Sequence, residues 1–343
     1  MPIIGLDLGR HTIRAVEIEK SKGKAVLEKC GVYDNSHLNI DSDSKEDNKN
    51  YSEAIKHFFS EMGFDTPNVV VSLPEYNAFI RIIKVPKMSE KELRSSIEYE
   101  AEQYIPFPIK EMNISYQVVD NDFKDPNLME VMLVAAKKDI LNKYINLLRE
   151  AGLVPRALEP ETLSLSRVLG KSGDGSHASI ILNVGFTNTL IIATYKGYVR
   201  LARNIPIGGD TFTRSIQQKL NLDYMQAEEY KKAYGLESNQ AEGKVFEAIK
   251  PVFENIISEV KRSDIFFTTH NSNVSINRVV ISGGTALMPG LLTYMASNLD
   301  TEVELANPWK DIRLLPKLES QKDIILENGP VYSVAVGLAL KEI

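Results

Sequence analysis

The chain is poor in the residues from which covalent staples and metal centres are built. It has one cysteine in 343 residues, Cys30, so no internal disulfide can form. No histidine lies near Cys30 in sequence, and it reads as a small buried or half-buried hydrophobe rather than a reactive thiol. The five histidines are His11, His37, His57, His177 and His270. None falls at metal-ligand spacing with another histidine or with Cys30, which argues against a histidine-built metal site. No apolar run approaches the ~20 residues needed to cross a bilayer. The opening MPIIGLDLG lacks a basic n-region and a small-residue cleavage site, so no signal peptide is expected. The closing AVGLALKEI carries no basic amphipathic tail. A cytosolic protein is expected, one that reaches any membrane through a partner. Basic residues are outnumbered, 40 against 46 acidic, for a net charge of −6. That weighs against a general nucleic-acid binder. Two phosphate-binding fingerprints are also missing: GxxxxGK[ST], and GxGxxG after a strand.

Apolar residues make up 43% of the chain and charged residues 25%, so core material is ample. At ~100–200 residues per domain, two domains are expected. Residues 3–9, 12–18 and 24–33 read as three strands. The polar, acidic, aromatic-free stretch 34–50 reads as an exposed loop. YSEAIKHFFSEMGF has helical spacing and stops at Gly63. Ser89 followed by Glu92 is a capping-box pattern opening a helix that Pro106 and Pro108 end. With strands at 113–120 and 129–136 and a helix ending at Gly152, residues 79–154 read as a β-α-β-β-α unit. From 178 a strand, turn, strand, strand order begins again. Asp210 reads as an N-cap, and helices follow at about 224–234 and 242–265, the latter interrupted by Pro251. A strand at 277–282, a glycine turn and a helix come next. Pro330 suits the first position of a last helix.

The restart suggests a duplication: IIGLDLGRHTIRAVEI lies over SIILNVGFTNTLIIAT. Any two hairpins share some of this pattern. Two facing copies, however, create a cleft, which is a common place for a ligand. Three turns stand where such a cleft forms: Asp7–Leu8–Gly9, Asn183–Val184–Gly185 and Gly283–Gly284–Thr285. Glycines let backbone N–H groups approach phosphate oxygens. Thr12, Thr187 and Asn188 add short polar side chains. Asp7 suits a hydrated Mg²⁺, and Arg14 can reach a phosphate. Each turn alone is weak evidence, because a hairpin needs glycine anyway.

In order, LDLGRHTIR, LNVGFTN and VVISGGTALMPGL resemble the two phosphate loops and the adenosine motif of the actin/Hsp70/sugar-kinase superfamily. ALEPETLSLSRVL and GPVYSVAVGLALK resemble its two connecting helices, with Ala335, Gly337 and Ala339 small where helices cross. IPIGGDTFTRSIQQKLNLDYMQAEEYKKAYG resembles the cell-division protein FtsA. SLPEYNAFIRIIKVPKMSEKELRSSIEYEAEQYIPFPIKEMNISYQVV and VMLVAAKKDILNKYINLLREAGLVPRALEPETLSL resemble the PilM family of type IV pilus assembly. The resemblance covers essentially the whole chain. It implies an α/β actin-like fold of two duplicated domains with an inserted subdomain, called 1C in FtsA and PilM. Residues 1–78 with 155–188 and 320–343 would form subdomain 1A, 79–154 subdomain 1C, and 189–319 the second domain.

The resemblance also implies ATP or ADP with Mg²⁺ between the domains. Asp7, Gly9, Arg10, His11, Thr12 and Arg14 would line the first loop, with Asp7 on the metal through water. Asn183, Gly185, Phe186, Thr187 and Asn188 would form the second. Gly283, Gly284 and Thr285 would approach the adenosine, with Glu228 and Lys231 on its ribose and adenine side and Gly208 and Gly209 nearby. Glu159 falls where relatives place a glutamate near the attacking water; it is equally a helix N-terminal acid favouring the dipole. The implied partner is the N-terminal cytoplasmic peptide of the inner-membrane protein PilN, in a groove between 1A and 1C. Other pilus inner-membrane proteins, the assembly ATPase among them, are further candidates. Tyr104, Ile105 and Phe107 either close the core of the small subdomain or face that groove. The implied place is the cytoplasmic face of the inner membrane.

Asn183 departs from the family pattern, which carries Asp. It keeps a hydrogen-bonding group and loses a charge for metal-bound water, so binding is expected to survive and hydrolysis to be weak or absent. The leading expectation is a nucleotide-loaded scaffold. The alternatives are a polymerising ATPase of the FtsA or MreB type and a small-molecule kinase of the same superfamily.

Overall fold

The computed structural model describes residues 2–21, 23–119, 126–171, 177–271 and 274–341. The chain opens with an antiparallel meander: β1 (Ile3–Leu8), β2 (Thr12–Ser21) and β3 (Lys24–Asp34). Helix α1 (Lys45–Met62) then crosses to β4 (Asn68–Leu73), which lies parallel beside β1. The apolar run of β1 reflects cover on both faces. Ile4, Leu6 and Leu8 pack with Tyr51, Ile55 and Phe58 of α1.

A smaller unit follows: β5 (Ala78–Pro86), α2 (Glu90–Glu102), β6 (Met112–Val119), β7 (Leu128–Lys137) and α3 (Lys138–Glu150). Its sheet is antiparallel in the order β5-β7-β6. The capping box forms: Ser89 accepts from the Glu92 N–H, and the Glu92 carboxylate accepts from the Ser89 N–H at 2.8 Å. Leu93, Ile97 and Ala101 on one face of α2 meet Val131, Leu133 and Ala135 of β7.

The chain returns through β8 (Val154–Pro160), parallel to β4, and α4 (Glu161–Leu169). It then repeats its opening with β9 (Ala178–Val184), β10 (Thr189–Tyr195) and β11 (Tyr198–Ile205), a second antiparallel meander. Helices α5 (Gly209–Leu220), α6 (Tyr224–Tyr234) and α7 (Lys244–His270) precede β12 (Ile276–Ser282), which lies parallel beside β9. Then come α8 (Leu291–Asn298), β13 (Glu302–Leu305), β14 (Ile312–Leu314), α9 (Lys322–Glu327) and α10 (Gly329–Ala339). The large sheets read β14-β3-β2-β1-β4-β8 and β11-β10-β9-β12-β13. In each, two parallel strands extend a meander beyond its first strand, and the first sheet adds β14 parallel to β3 at its other edge, so the duplication is visible in the topology.

Helices α4 and α10 cross closely. A Cβ on Gly337 would stand 2.1 Å from the Ser164 carbonyl oxygen, and one on Gly5 would stand 1.9 Å from that of Ala335. Only hydrogen fits at either position, so these glycines set how closely α10 seats on β1 and α4.

Four expectations shift. Strand β9 belongs to the second sheet, because it forms a hairpin with β10, whereas β14 joins the first beside β3. The boundaries 155–188 and 189–319 therefore cut across the observed sheets. The polar stretch 34–50 is anchored: Asn35 is buried and donates to the Gly9 carbonyl at 3.0 Å and Tyr51 Oη at 2.9 Å, while Ser44 caps α1. Asp210 lies in the first turn of α5, whose N-cap is Gly208. Helix α7 runs continuously through Pro251, its apolar face covering the second sheet.

Candidate functional site

The C-terminal ends of β1 and β9 carry the hairpin turns that face each other across a cavity of about 440 Å³. The turn after β12 and helix α6 complete its far side. Asp7, Gly9, Arg10, His11, Thr12 and Arg14 line one wall. Asn183, Gly185, Phe186, Thr187 and Asn188 line the opposite one. Gly209, Glu228, Lys231, Gly283, Gly284 and Thr285 close the third. Gly208 supports this lining from behind, where a Cβ would meet Phe186 O at 2.6 Å.

Each turn is held by its neighbours. Asp7 Oδ1 accepts from Ser72 Oγ at 2.9 Å, and Oδ2 pairs with Arg14 Nη1 at 3.1 Å. Both partners come from adjacent strands of one sheet, β4 and β2. Gly185 N–H donates to the Asn188 carbonyl, and the Gly185 carbonyl in turn accepts from Gly209 N–H, both at 2.9 Å. Gly283 sits at φ 90° with its would-be Cβ 2.4 Å from the Val184 carbonyl oxygen, so only glycine brings this backbone so near the second turn. Its N–H donates to Pro330 O at 3.0 Å, tying the turn to α10. His11 and Phe186 stack across the gap with centroids 4.4 Å apart.

Arg14 and Lys231 bring positive charge to the lining. Arg14 is largely buried, and its Nε has no hydrogen-bond partner. A buried donor left open costs stability unless a ligand uses it. Lys231 is buried, pairs with Glu228 at 2.6 Å and donates to the Gly209 carbonyl at 3.1 Å. Burial lowers the Lys231 ammonium below its ordinary range despite this pair. Burial also opposes the charge on Glu228, but hydrogen bonds from Lys231 and Thr213 outweigh it and hold the carboxyl low.

Glu159 does not line this cavity. Arg167 grips its carboxylate with both Nη atoms, at 2.6 and 3.0 Å, and Lys341 Nζ adds a bond at 2.6 Å. The acid of this segment that faces the cavity is Glu161, which sequence reasoning passed over. Burial, with Asp7 and Glu75 nearby, pushes its carboxyl well above the usual range; Arg14 opposes this. Asn183 Nδ2 donates to Glu161 Oε2 at 3.3 Å, and Ser282 Oγ donates to Asn183 Oδ1 at 3.1 Å. Tyr76, also missed, covers the rim: its ring lies 4.5 Å from the Arg10 guanidinium, and its hydroxyl donates to Asp41 at 2.7 Å.

Among the described residues no cluster of three His, Cys, Asp or Glu side chains forms a protein cage for a metal ion. What the residues fit is a cation held mainly by waters and phosphate, with Asp7 as the anchoring carboxylate. Each Asp7 oxygen has one protein partner and keeps a lone pair.

A second cavity, of about 480 Å³, lies where the small sheet meets the first large one. Asn113 and Ser115 of β6 and Val134 and Ala136 of β7 form its floor. Lys138, Leu141, Asn142 and Ile145 of α3 form one side, and Leu73, Leu158 and Pro160 the other. Tyr104, Ile105 and Phe107 line neither cavity. Ile105 is buried with Leu93 and Ile97, Tyr104 packs on that core beneath Arg81, and Phe107 is exposed beside Lys137. Strand alternation explains the difference: the groove takes the face of β6 opposite to Ile114 and Tyr116, which pack on that same core. No helix among the described residues is long and apolar enough to cross a membrane.

The fold recurs in known proteins. The cell division protein FtsA of Bacillus subtilis is 24% identical over 277 residues, 70% of this chain and 60% of FtsA, so the chain spans less than two thirds of that relative. The solved "PilM-PilN type IV pilus biogenesis complex" matches with a TM-score of 0.85 and 27% identity, over 98% of this chain and 97% of that one. MreB5 of Spiroplasma citri, solved with ADP, matches with a TM-score of 0.52 and 14% identity, over 98% of this chain and 94% of its own, which supports the actin-like fold. The family model for the type IV pilus assembly protein PilM matches residues 5–343, and the chain belongs to that family.

Proposed function

We propose that this chain is a nucleotide-holding adaptor of a type IV pilus inner-membrane assembly complex. ATP or ADP occupies the 440 Å³ cleft, its phosphates against the Gly9, Gly185 and Gly283 turns and its base towards Glu228 and Lys231. Arg14 supplies positive charge to the phosphates, and Asp7 holds Mg²⁺ through water. The observation that carries the reading is the Asn183–Glu161 pair. The groups that meet there are a neutral amide, Asn183, and the Glu161 carboxyl, which burial and the neighbouring Asp7 and Glu75 push well above its usual range. An amide adds no charge to metal-bound water, and it already occupies the Glu161 carboxyl as a hydrogen-bond donor. Binding rests on backbone amides and Arg14, which neither group impairs. Turnover is therefore slow or absent.

The second cavity takes the N-terminal cytoplasmic segment of PilN, the partner named in the matching solved complex. Its lining mixes apolar groups (Leu73, Val134, Leu141, Ile145, Leu158) with the polar Asn113, Ser115 and Asn142, which suits an extended peptide with alternating side chains. That contact places the protein at the cytoplasmic face of the inner membrane, and through PilN beside the other assembly proteins. The test combines ATP binding by titration calorimetry, phosphate release and capture of the PilN segment. Stoichiometric ATP binding, turnover below about 1 min⁻¹ and peptide capture support the adaptor. Turnover at the ~10 s⁻¹ typical of enzymes refutes it.

A further inference from the structure

The two cavities share a wall. At the end of β4, Leu73 faces the groove, and Pro74 and Tyr76 face the cleft. At the end of β8, Leu158 and Pro160 face the groove, and Glu161 faces the cleft. Leu73 and Pro160 are partners in the parallel register, so on each strand consecutive residues serve opposite cavities.

Just past that register pair stands Glu75, which lines neither cavity. Its side chain turns inward and is buried. Oε1 accepts from Thr162 Oγ1 at 2.7 Å, and Oε2 accepts from Thr162 N–H at 3.3 Å. These bonds join the chain leaving β4 to the first turn of α4, beyond the last backbone pairing of the two strands. A buried carboxyl is an expensive way to close a sheet end, where an apolar side chain of similar volume is often no less stable. Its position, between Tyr76 on one segment and Glu161 on the other, fixes two cleft-lining residues relative to each other.

We propose that this junction couples the cavities, with Glu75 as the positioning residue, so that a nucleotide in the cleft and a peptide in the groove each tighten the binding of the other. The inference rests on the assignment of cleft and groove made above. Packed strand ends do not deform one residue at a time. A ligand that fixes Leu73 and Pro160 also fixes Pro74 and Glu161. Both cavities are open in the one arrangement seen here, so either ligand stabilises the state the other needs, and the sign is positive. Linkage makes the factor equal in both directions.

The test is a thermodynamic square by titration calorimetry. AMPPNP is titrated with and without a saturating synthetic peptide of the PilN N-terminal segment, and the peptide with and without AMPPNP. In the wild type each ligand tightens the other by about 5-fold or more. Glu75→Gln and Thr162→Val keep each ligand's separate affinity within about two-fold while the coupling factor falls towards one; Thr162→Ser, which keeps the hydroxyl, retains it. Melting curves confirm folding, and Thr162→Val decides if Glu75→Gln does not fold. If both ligands bind the wild type and ignore each other, the coupling is refuted while both sites stand. If either ligand alone fails to bind, the underlying assignment fails and the coupling with it. Full coupling in the folded Glu75 and Thr162→Val variants also refutes it.

Discussion

Replacing Asn183 by Asp supplies a charge that the Asn183–Gly185 turn lacks, and the structure says what that charge meets. Asn183 Nδ2 lies 3.3 Å from Glu161 Oε2. Two carboxylates at that separation repel by about 5 kcal/mol at an effective dielectric constant of 20. The pair avoids this by holding one proton between them. Burial, with Asp7 and Glu75, already holds the Glu161 carboxyl well above its usual range, so at low pH the proton is in place and the variant loses only about 1 kcal/mol. The sign follows from proton counting. The folded variant retains a proton that the unfolded chain has released, so its stability falls as pH rises. The melting temperature of Asn183→Asp should sit a few degrees below wild type at pH 6, and the gap should widen at pH 9. Mg²⁺ with ATP should narrow it, because the cation replaces the proton between the carboxylates. Melting by circular dichroism at both pH values, with and without Mg·ATP, checks this. A gap that ignores pH contradicts the pairing with Glu161, and one that ignores Mg·ATP removes position 183 from the metal side of the cleft.

Three further outcomes follow from the geometry. Burial lifts the Glu75 carboxyl to about 7, so folded wild type keeps a proton that the unfolded chain releases above the usual 4.5. Wild-type stability therefore falls between those pH values by on the order of 3 kcal/mol, and Glu75→Gln should lack that slope in denaturant titrations across pH 4.5–7.5. Arg14→Gln removes a charge-assisted phosphate contact worth about 1.5–3 kcal/mol, so ATP affinity should drop roughly 10- to 100-fold, and melting should also fall because buried Asp7 loses its ion-pair partner; an unchanged affinity in the folded variant contradicts the placement of the phosphates. Gly337→Ala drives a methyl to 2.1 Å from the Ser164 carbonyl oxygen, and the variant should be insoluble or melt far below wild type. Normal melting there would mean that α4 and α10 separate easily.

Much of the site was legible because its chemistry is local. A glycine beside a short polar residue at a strand end marks a turn wherever it occurs, and the chain shows three such turns in register with a duplication. Glu161 was not legible in this way. Glu159 and Glu161 stand two apart before one helix, and sequence offers no reason to prefer either. The strand ends at Pro160, so Glu159 still follows strand geometry towards Arg167 and Lys341, the latter 182 residues away. Glu161 opens the helix and turns to the cleft. Asn183 reads from the sequence as a missing charge, but its donor bond to Glu161 joins residues 22 positions apart and is not legible there. The groove was hidden for the same reason, since its walls come from β4, β6, β7, α3 and β8. The visible apolar cluster at Tyr104–Phe107 instead serves mainly the core of the small unit. Asn35 shows the converse, a polar residue in a polar stretch that is buried because Gly9 O and Tyr51 need its amide.

The partner half of the adaptor account is tested most directly at the groove. The decisive measurement is equilibrium binding of a fluorescent PilN N-terminal peptide to the ATP-loaded protein, beside a variant with Leu141→Asp and Ile145→Asp on the groove face of α3. The account predicts saturable one-to-one binding to wild type and at least about a 10-fold loss in the variant, since two charges replace apolar groups worth ~1.5–3 kcal/mol each. Absence of binding to wild type, or equal binding by the folded variant, would contradict it.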